Sequence, residues 1–545
     1  MNSRAALVLK SIGVALAVAG LVSCDAPEPA VKDAKPLVRR LTEEQYRNIV
    51  ADVFGPQIVV AGSFDPILRE SALIAASAGN ATISASGFEK YEKLAYSIAA
   101  QVVAPANRKL LIGCAPASAT AADDVCAAQF LTRAGRLLLR RPLSDGERKR
   151  AVAIAAAAAA EAGDFYQGLA YGLTTLMVSP NFLFVVDTLA PSSAPPRLAA
   201  AAKAARLSFF FWNTTPDDVL LTAAERGDLD TARGLETQIT RLMASPRLAN
   251  GVRALFADML ELDKFERLSK DTEIYPAFDT GATADAREQL LRTITYHLLD
   301  RDADYRTLFD TRETFMSPAL GRVYRVPIED FDGWSRFDFP AADDHVGIQT
   351  LAGFSALHSH PGRSSPTIRG RAVRELLLCQ KVPDPPSDID FSLFNEPSAA
   401  QLPARERLAV HSTVATCAGC HKLTDGIGLA LENFDGAGQF RATDAGRPID
   451  ISGNLDGTEF TSTAGLAKAL REHPMIPACL VQRAVSYALA GVVSAPQPAW
   501  EKYLAAEFAE SGFRLKSLMS AIAHSPNFFA VGAGVAPAAE LEKRS

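Results

Sequence analysis

Thr416-Cys417-Ala418-Gly419-Cys420-His421 is a C-x-x-C-H stretch, the pattern through which a chain holds c-type haem covalently. Two cysteines three apart lie on one side of a single helical turn. Both thiols can then reach neighbouring vinyl groups of one ring, and the next residue, His421, offers an imidazole nitrogen to the iron. The expectation is one covalent haem c, held by Cys417 and Cys420 and ligated by His421. Two rival chemistries use the same residue types. Structural zinc needs two more ligands at finger-like spacing; His411, His473 and Cys479 are present, but none forms a second close pair. A redox dithiol sits after a strand in a βαβ unit, and no such pattern precedes Cys417.

The far N-terminus suits a haem protein. Arg4 and Lys10 precede a short apolar run, 11–22, that ends Leu21-Val22-Ser23-Cys24. The run is too short for a stable membrane span. Its end resembles a bacterial lipobox, with residues 1–23 as the signal peptide and Cys24 as the lipidated residue; an ordinary signal peptide is the alternative. Acyl chains on Cys24 would anchor the protein to a membrane. Residues 24–40, with Pro27, Pro29 and Pro36, then read as a tether. The expected address is the periplasmic face of a bacterial membrane, and Asp25 favours the inner one. Covalent haem is attached outside the cytoplasmic membrane, so export and the motif agree.

The 545 residues hold seven cysteines. With Cys24, Cys417 and Cys420 assigned, Cys114, Cys126, Cys379 and Cys479 remain. An even remainder in an oxidising compartment points to two disulfides, for which three connectivities exist. Sequence proximity favours Cys114–Cys126, which leaves Cys379–Cys479; buried thiols are the alternative reading. A hydrophobic share of 48% and a charged share of 22% describe globular domains, and a net charge of −6 argues against non-specific nucleic-acid binding. A basic redox partner protein is compatible with that charge.

Helical periodicity dominates, so the fold class is mainly α: several helical domains, a C-terminal cytochrome-c-like haem domain and small β or loop insertions. The expected divisions are 41–190, 197–340, a haem-bearing 343–440, a helical 441–530 completing it, and a tail 531–545. Thr42 reads as an N-cap for a helix ending at Gly55-Pro56. Residues 88–112 read as one helix, Ser144 caps another that contains the alanines 155–160, and Thr215 and Thr283 read as further N-caps. Pro191–Pro196 reads as an interdomain linker. Residues 313–348, with Phe331, Trp334, Phe337 and Phe339, read as a loop or hairpin, filling a small core or lying over the haem. Arg369, Arg371 and Arg374 form either a solvated helix face or partners for haem propionates. Gly426 and Gly428 permit close backbone approach, here to the ring. Ser179-Pro180-Asn181-Phe182 recurs as Ser525-Pro526-Asn527-Phe528, one helix stop used twice.

The sixth iron position has Met475 as first candidate, just before an expected helix 478–490, with His411 as the alternative. His358, His360 and His473 follow, and an open position is the remaining choice. Three functions are compatible with these residues. The first is one-electron transfer to or from a partner. The second is a haem oxidoreductase with an open iron site, assisted by Tyr46, Tyr487 or Trp334. The third is an envelope binding or scaffold module with structural haem. No Ser/His/Asp set, phosphate loop or dinucleotide glycine motif is evident.

Taken in order, these pieces resemble the exported cytochrome-c-like proteins of planctomycetes, myxobacteria and some proteobacteria, built of several unknown-function domains. The resemblance covers most of 41–530. It rests on Leu41–Gly55; on Arg140-Arg141-Pro142-Leu143 with Ser179–Leu183; and on Leu207–Trp212 with Pro216-Asp217-Asp218. It continues with Ser365–Gly370, Cys417–His421 and Leu431-Glu432-Asn433-Phe434-Asp435, and ends with Ile449–Gly453 and Tyr487-Ala488-Leu489. It implies haem binding, export and a partner, with a neighbouring co-encoded exported protein as candidate. This chain departs from the family pattern with Gly426 where Pro is usual, Thr424 where Met is frequent, and Ala490-Gly491 where Gly-Arg is favoured.

Overall fold

The computed structural model describes residues 27–69, 72–191, 193, 195–384, 402–413, 415–490 and 496–532, without the side chains of 410–412 and 415–416. The chain is mainly helical. Among the described residues the only sheets are four two-stranded antiparallel pairs: β1 (Val38–Arg40) with β2 (Phe184–Val186), β3 (Glu313–Met316) with β4 (Ser335–Asp338), β5 (Thr443–Asp444) with β6 (Arg447–Pro448), and β7 (Gly453–Leu455) with β8 (Thr458–Phe460).

Local chemistry sets the helix ends. Thr42 and Gln45 form a capping box at the start of Glu43–Phe54, and Gly55 ends that helix at φ 93°. Ser144 and Glu147 do the same for Asp145–Ala162. Elsewhere a neighbouring residue takes the expected role. Asp217, not Thr215, caps Asp218–Glu225, because the Thr215 hydroxyl donates to Leu137 O at 2.5 Å. Asp279, not Thr283, caps Thr280–Thr295. The single helix expected over 88–112 is two, Ala85–Val102 and Pro105–Leu111, since Pro105 supplies no N–H to continue the first.

Two apolar cores result. The first gathers the helices Glu43–Phe54, Ala85–Val102, Asp124–Leu138, Asp145–Ala162 and Phe165–Met177. Close approach there uses the alanines: a Cβ on Gly168 would meet Ala155 O at 2.3 Å. The second holds residues from Leu37 to Phe528, among them many on either side of 340 and of 440. The expected divisions near 340 and 440 therefore do not separate cores. The two cores meet at Ala200–Trp212, where Leu207–Trp212 are all buried. Phe209 belongs to the first core, and Phe210, Phe211 and Trp212 to the second. A helix apolar on every face must be covered on every side.

Two connecting segments are tighter than their composition suggests. Residues 27–40 do not hang as a tether over their described length. Glu28 accepts from Trp500 Nε1 at 2.6 Å, Val31 N donates to Asn527 Oδ1 at 2.8 Å, and Lys32 N donates to Gln497 Oε1 at 3.0 Å. The prolines extend this strand-like segment while leaving carbonyls and neighbouring N–H groups to bond the C-terminal helices. The linker 191–196 is flanked by a bridge between Leu189 and Leu198, closed by Ala190 N to Arg197 O and Ala199 N to Thr188 O, both 2.8 Å.

Disulfides join Cys114 to Cys126 and Cys379 to Cys479. The second ties the segment before the motif to the helix Met475–Leu489. The double replacement Cys379→Ala/Cys479→Ala should lower stability by about 3–5 kcal/mol and cost more than Cys114→Ala/Cys126→Ala. The difference follows from sequence separations of 100 and 12. Urea denaturation of the oxidised protein measures both, and the reverse order would refute the loop-length explanation.

Candidate functional site

Cys417, Cys420 and His421 lie on the helix Ala415–Leu429. Three backbone contacts hold this motif helix. A Cβ on Gly428 would fall 1.7 Å from Pro366 O, and one on Gly370 would fall 1.9 Å from Thr424 O. These distances show the motif helix and Pro366–Ala372 touching backbone to backbone. On the other side a Cβ on Gly453, in β7, would lie 2.0 Å from Gly426 O. Gly426 and Gly428 thus serve protein–protein approach, where the sequence suggested approach to a ring.

His421 is oriented within its own helix. Its Nδ1 donates to Asp425 Oδ2 at 2.8 Å, an i,i+4 pair with side chains 16% and 14% exposed. Asp425 Oδ1 in turn accepts from Thr367 Oγ1 at 2.9 Å and from Thr424 Oγ1 at 3.2 Å. A proton held on Nδ1 makes Nε2 the metal-binding nitrogen of the imidazole. Asp425 was not singled out in the sequence, although its spacing of four from His421 was the available signal. Cys417 and Cys420 are half-buried and outside the disulfides, and Cys420 Sγ lies 3.5 Å from Pro383 O. Two thiols one turn apart, followed by a carboxylate-oriented histidine, form a donor set that suits covalent haem.

The arginines of Pro366–Ala372 and of the turn after it are committed to protein groups. Arg369 is fully buried and donates through Nη1 to Leu431 O at 2.8 Å and Phe434 O at 2.6 Å. Its Nη2 reaches Asp435 O and, at 2.9 Å, Ser359 Oγ. It thereby moulds the chain 431–435 that follows the motif helix. Glu432 lies beside it at 3.6 Å, with Arg441 at 2.7 Å; burial nevertheless raises this carboxyl above its ordinary range. Arg371 pairs with Glu375 at 3.1 Å and Asp384 at 2.6 Å. Arg374 donates through Nε to Leu423 O on the motif helix at 2.7 Å and pairs with Asp456 at 2.8 Å.

That last residue begins a bridge to Met475. Asp456 Oδ2 lies 3.0 Å from His473 Nε2, and His473 Nδ1 accepts from Met475 N at 3.1 Å. Met475 is half-buried at the first position of its helix, one turn before Cys479. The His411 side chain and Cys24 lie outside the described residues. His358 is buried, with Phe354 at 4.7 Å, and burial lowers its imidazole to about 3. Of the residues named for zinc, Cys479 is spent in a disulfide and His473 on Asp456. Among the described residues no three His, Cys, Asp or Glu side chains are grouped to hold a metal ion by themselves.

Most of these aromatics pack, although Phe331 is exposed. Phe339 stacks on His345 at 4.4 Å, which touches Phe434 at 4.7 Å. Trp334 lies under the Arg292 guanidinium at 4.8 Å. Tyr46 sits within the first core against Phe64 and Phe182, each at 5.2 Å. No helix among the described residues is long and apolar enough to cross a membrane.

Four family models match successive stretches of the chain, each described as a protein of unknown function: DUF1595 over 126–187, DUF1592 over 198–326, DUF1588 over 345–444 and DUF1585 over 456–528. The motif helix falls in the third. The chain is therefore similar to an assembly of several such domains in series. No similarity to a curated protein or to a solved structure was detected.

The backbone contact at Gly428 is directly testable. Gly428→Ala should lower stability by at least about 1–3 kcal/mol, because Pro366 O has to move. Gly419→Ala, with open space around it, should change it by less than about 1 kcal/mol. Equal denaturation midpoints for the two variants would show that the helices do not touch in this way.

Proposed function

We propose that this chain is a membrane-tethered c-type cytochrome of the cell envelope, carrying one covalent haem and passing one electron to or from a partner protein. The observation that supports it most is the set Cys417, Cys420 and His421 on one helix, with the His421 Nδ1 proton held by Asp425. Cys417 and Cys420 would hold the haem through thioethers and His421 would ligate its iron. Haem bound there supplies a one-electron couple within the protein. Asp425 keeps the imidazole in one tautomer and orientation, and Thr367 and Thr424 keep Asp425 in place. We assign the sixth position to Met475. The Cys379–Cys479 bond and the Arg374–Asp456–His473 bridge would hold the turn that carries it. Lipid on Cys24 would supply the anchor, on the periplasmic face. The partner is a redox protein, with a co-encoded exported protein as candidate.

One observation favours a second reading, an oxidoreductase with an exchangeable sixth position. A carboxylate on the proximal imidazole raises ligand basicity and stabilises the oxidised metal.

A pyridine haemochrome assay on the exported, matured protein should find one covalent haem per chain and none in Cys417→Ser/Cys420→Ser. A wild type without covalent haem would end the proposal. Asp425→Asn should raise the midpoint potential, shifting the one-electron equilibrium by about tenfold, on the order of 59 mV. An unchanged potential would remove Asp425 from the site. Met475→Ala should let the reduced protein bind CO promptly where the wild type does not. Prompt binding by the wild type would decide for the oxidoreductase.

A further inference from the structure

Strand β1 and the helices Glu43–Phe54, Ala200–Trp212 and Met475–Leu489 line a cavity of about 20 Å³ whose walls include Arg39, Gln45, Arg206, Phe209, Phe210 and Tyr487. That is room for one particle of water size or slightly more. Two of its walls are incompletely satisfied. Arg39 is 4% exposed; its Nη1 donates to Gln45 Oε1 at 2.9 Å and its guanidinium lies over Phe209 at 4.8 Å, but its Nε has no partner among the described residues. Tyr487 is 8% exposed, and its hydroxyl has no partner among them either.

The acids around Arg39 and Tyr487 are engaged elsewhere. Asp187 accepts from Arg206 Nε at 3.2 Å, from Arg206 Nη2 and from Leu37 N at 2.8 Å. Asp258 accepts from Arg69 at 2.8 Å and from the N–H groups of Ile74 and Ala75. Glu44 is exposed, and Arg253 and Arg287 offset its charge. Burial lowers Arg39 only to about 10, so it is cationic at neutral pH, and burial pushes the Tyr487 phenol up, so it keeps its proton. A permanent buried cation and a permanent O–H donor thus line one small cavity, with no carboxylate among the described residues paired to the cation. A buried charge of this kind needs a counter-charge, and a hydrogen-bond acceptor without charge leaves most of the cost in place.

We propose that this cavity binds one small monovalent anion, chloride under ordinary salt conditions, between Arg39 and Tyr487. The cavity has room for a halide. The bound ion would link β1, at the N-terminal end of the ordered body, to the helix that begins at Met475. The site is independent of the proposed haem.

Thermal unfolding of the full chain, with sodium chloride replacing sodium gluconate at constant ionic strength, tests it. The wild type should show a saturable rise in midpoint temperature, as expected for an ion that binds only the folded state. Bromide should reproduce the rise. Tyr487→Phe keeps the shape of the ring and should move the half-saturating chloride concentration upward by at least tenfold. Crystals grown in bromide should carry an anomalous peak in the cavity. Identical unfolding in chloride and gluconate, a Tyr487→Phe curve that matches the wild type, or water without bromide in the cavity would each overturn the proposal.

Discussion

A buried guanidinium feeding several backbone carbonyls is the interaction on which this structure depends. The chain contains much irregular backbone, and a carbonyl buried without a donor costs about as much as a lost hydrogen bond. Arginine offers five N–H groups in a planar fork and no acceptor. Arg40 serves the carbonyls of Asp65, Pro66 and Thr82, and Arg140 those of Asn181, Phe182 and Phe184. Arg206 serves Phe528 and Ala530, and Arg369 serves Leu431, Phe434 and Asp435. A lysine would bring a point charge but not the fork, so it could not satisfy carbonyls lying in different directions.

The repeated Ser-Pro-Asn-Phe gains its meaning here. At both places the serine hydroxyl accepts from the asparagine N–H, at 3.2 Å for Asn181 and 3.0 Å for Asn527. At both places a buried arginine then takes the carbonyls of the phenylalanine and of the residue two further on. The recurrence is one way to stop a helix inside a core: the serine caps the turn, and the arginine pays for the carbonyls left open.

The same logic reaches the motif. Arg369 shapes the segment 431–435 after the motif helix, while Arg374 binds that helix at Leu423 O and extends through Asp456 and His473 to Met475. Glycines at 370, 426, 428 and 453 let the surrounding backbones meet. The proposed haem ligands are thus carried on a helix whose position is set by contacts lying mostly far along the chain.

The sequence by itself determined the helical class, the first helix with its Thr42 cap and Gly55 stop, the Ser144 cap, the C-x-x-C-H set on a helix and the even count of remaining cysteines. These are readable because capping, periodicity and helical spacing are local, acting over a few residues. Only the tertiary structure decided that Asp217 caps in place of Thr215, that residues 28–32 bond the C-terminal helices, and that apolar residues on both sides of 340 and 440 share one core. It also decided that Arg369 is buried while Arg371 stays at the surface, and that Gly428 meets Pro366 and not a ring. Each of these depends on which distant carbonyl, carboxylate or apolar face the fold brings opposite the residue. That neighbour is a property of the assembled chain and leaves no local pattern to read.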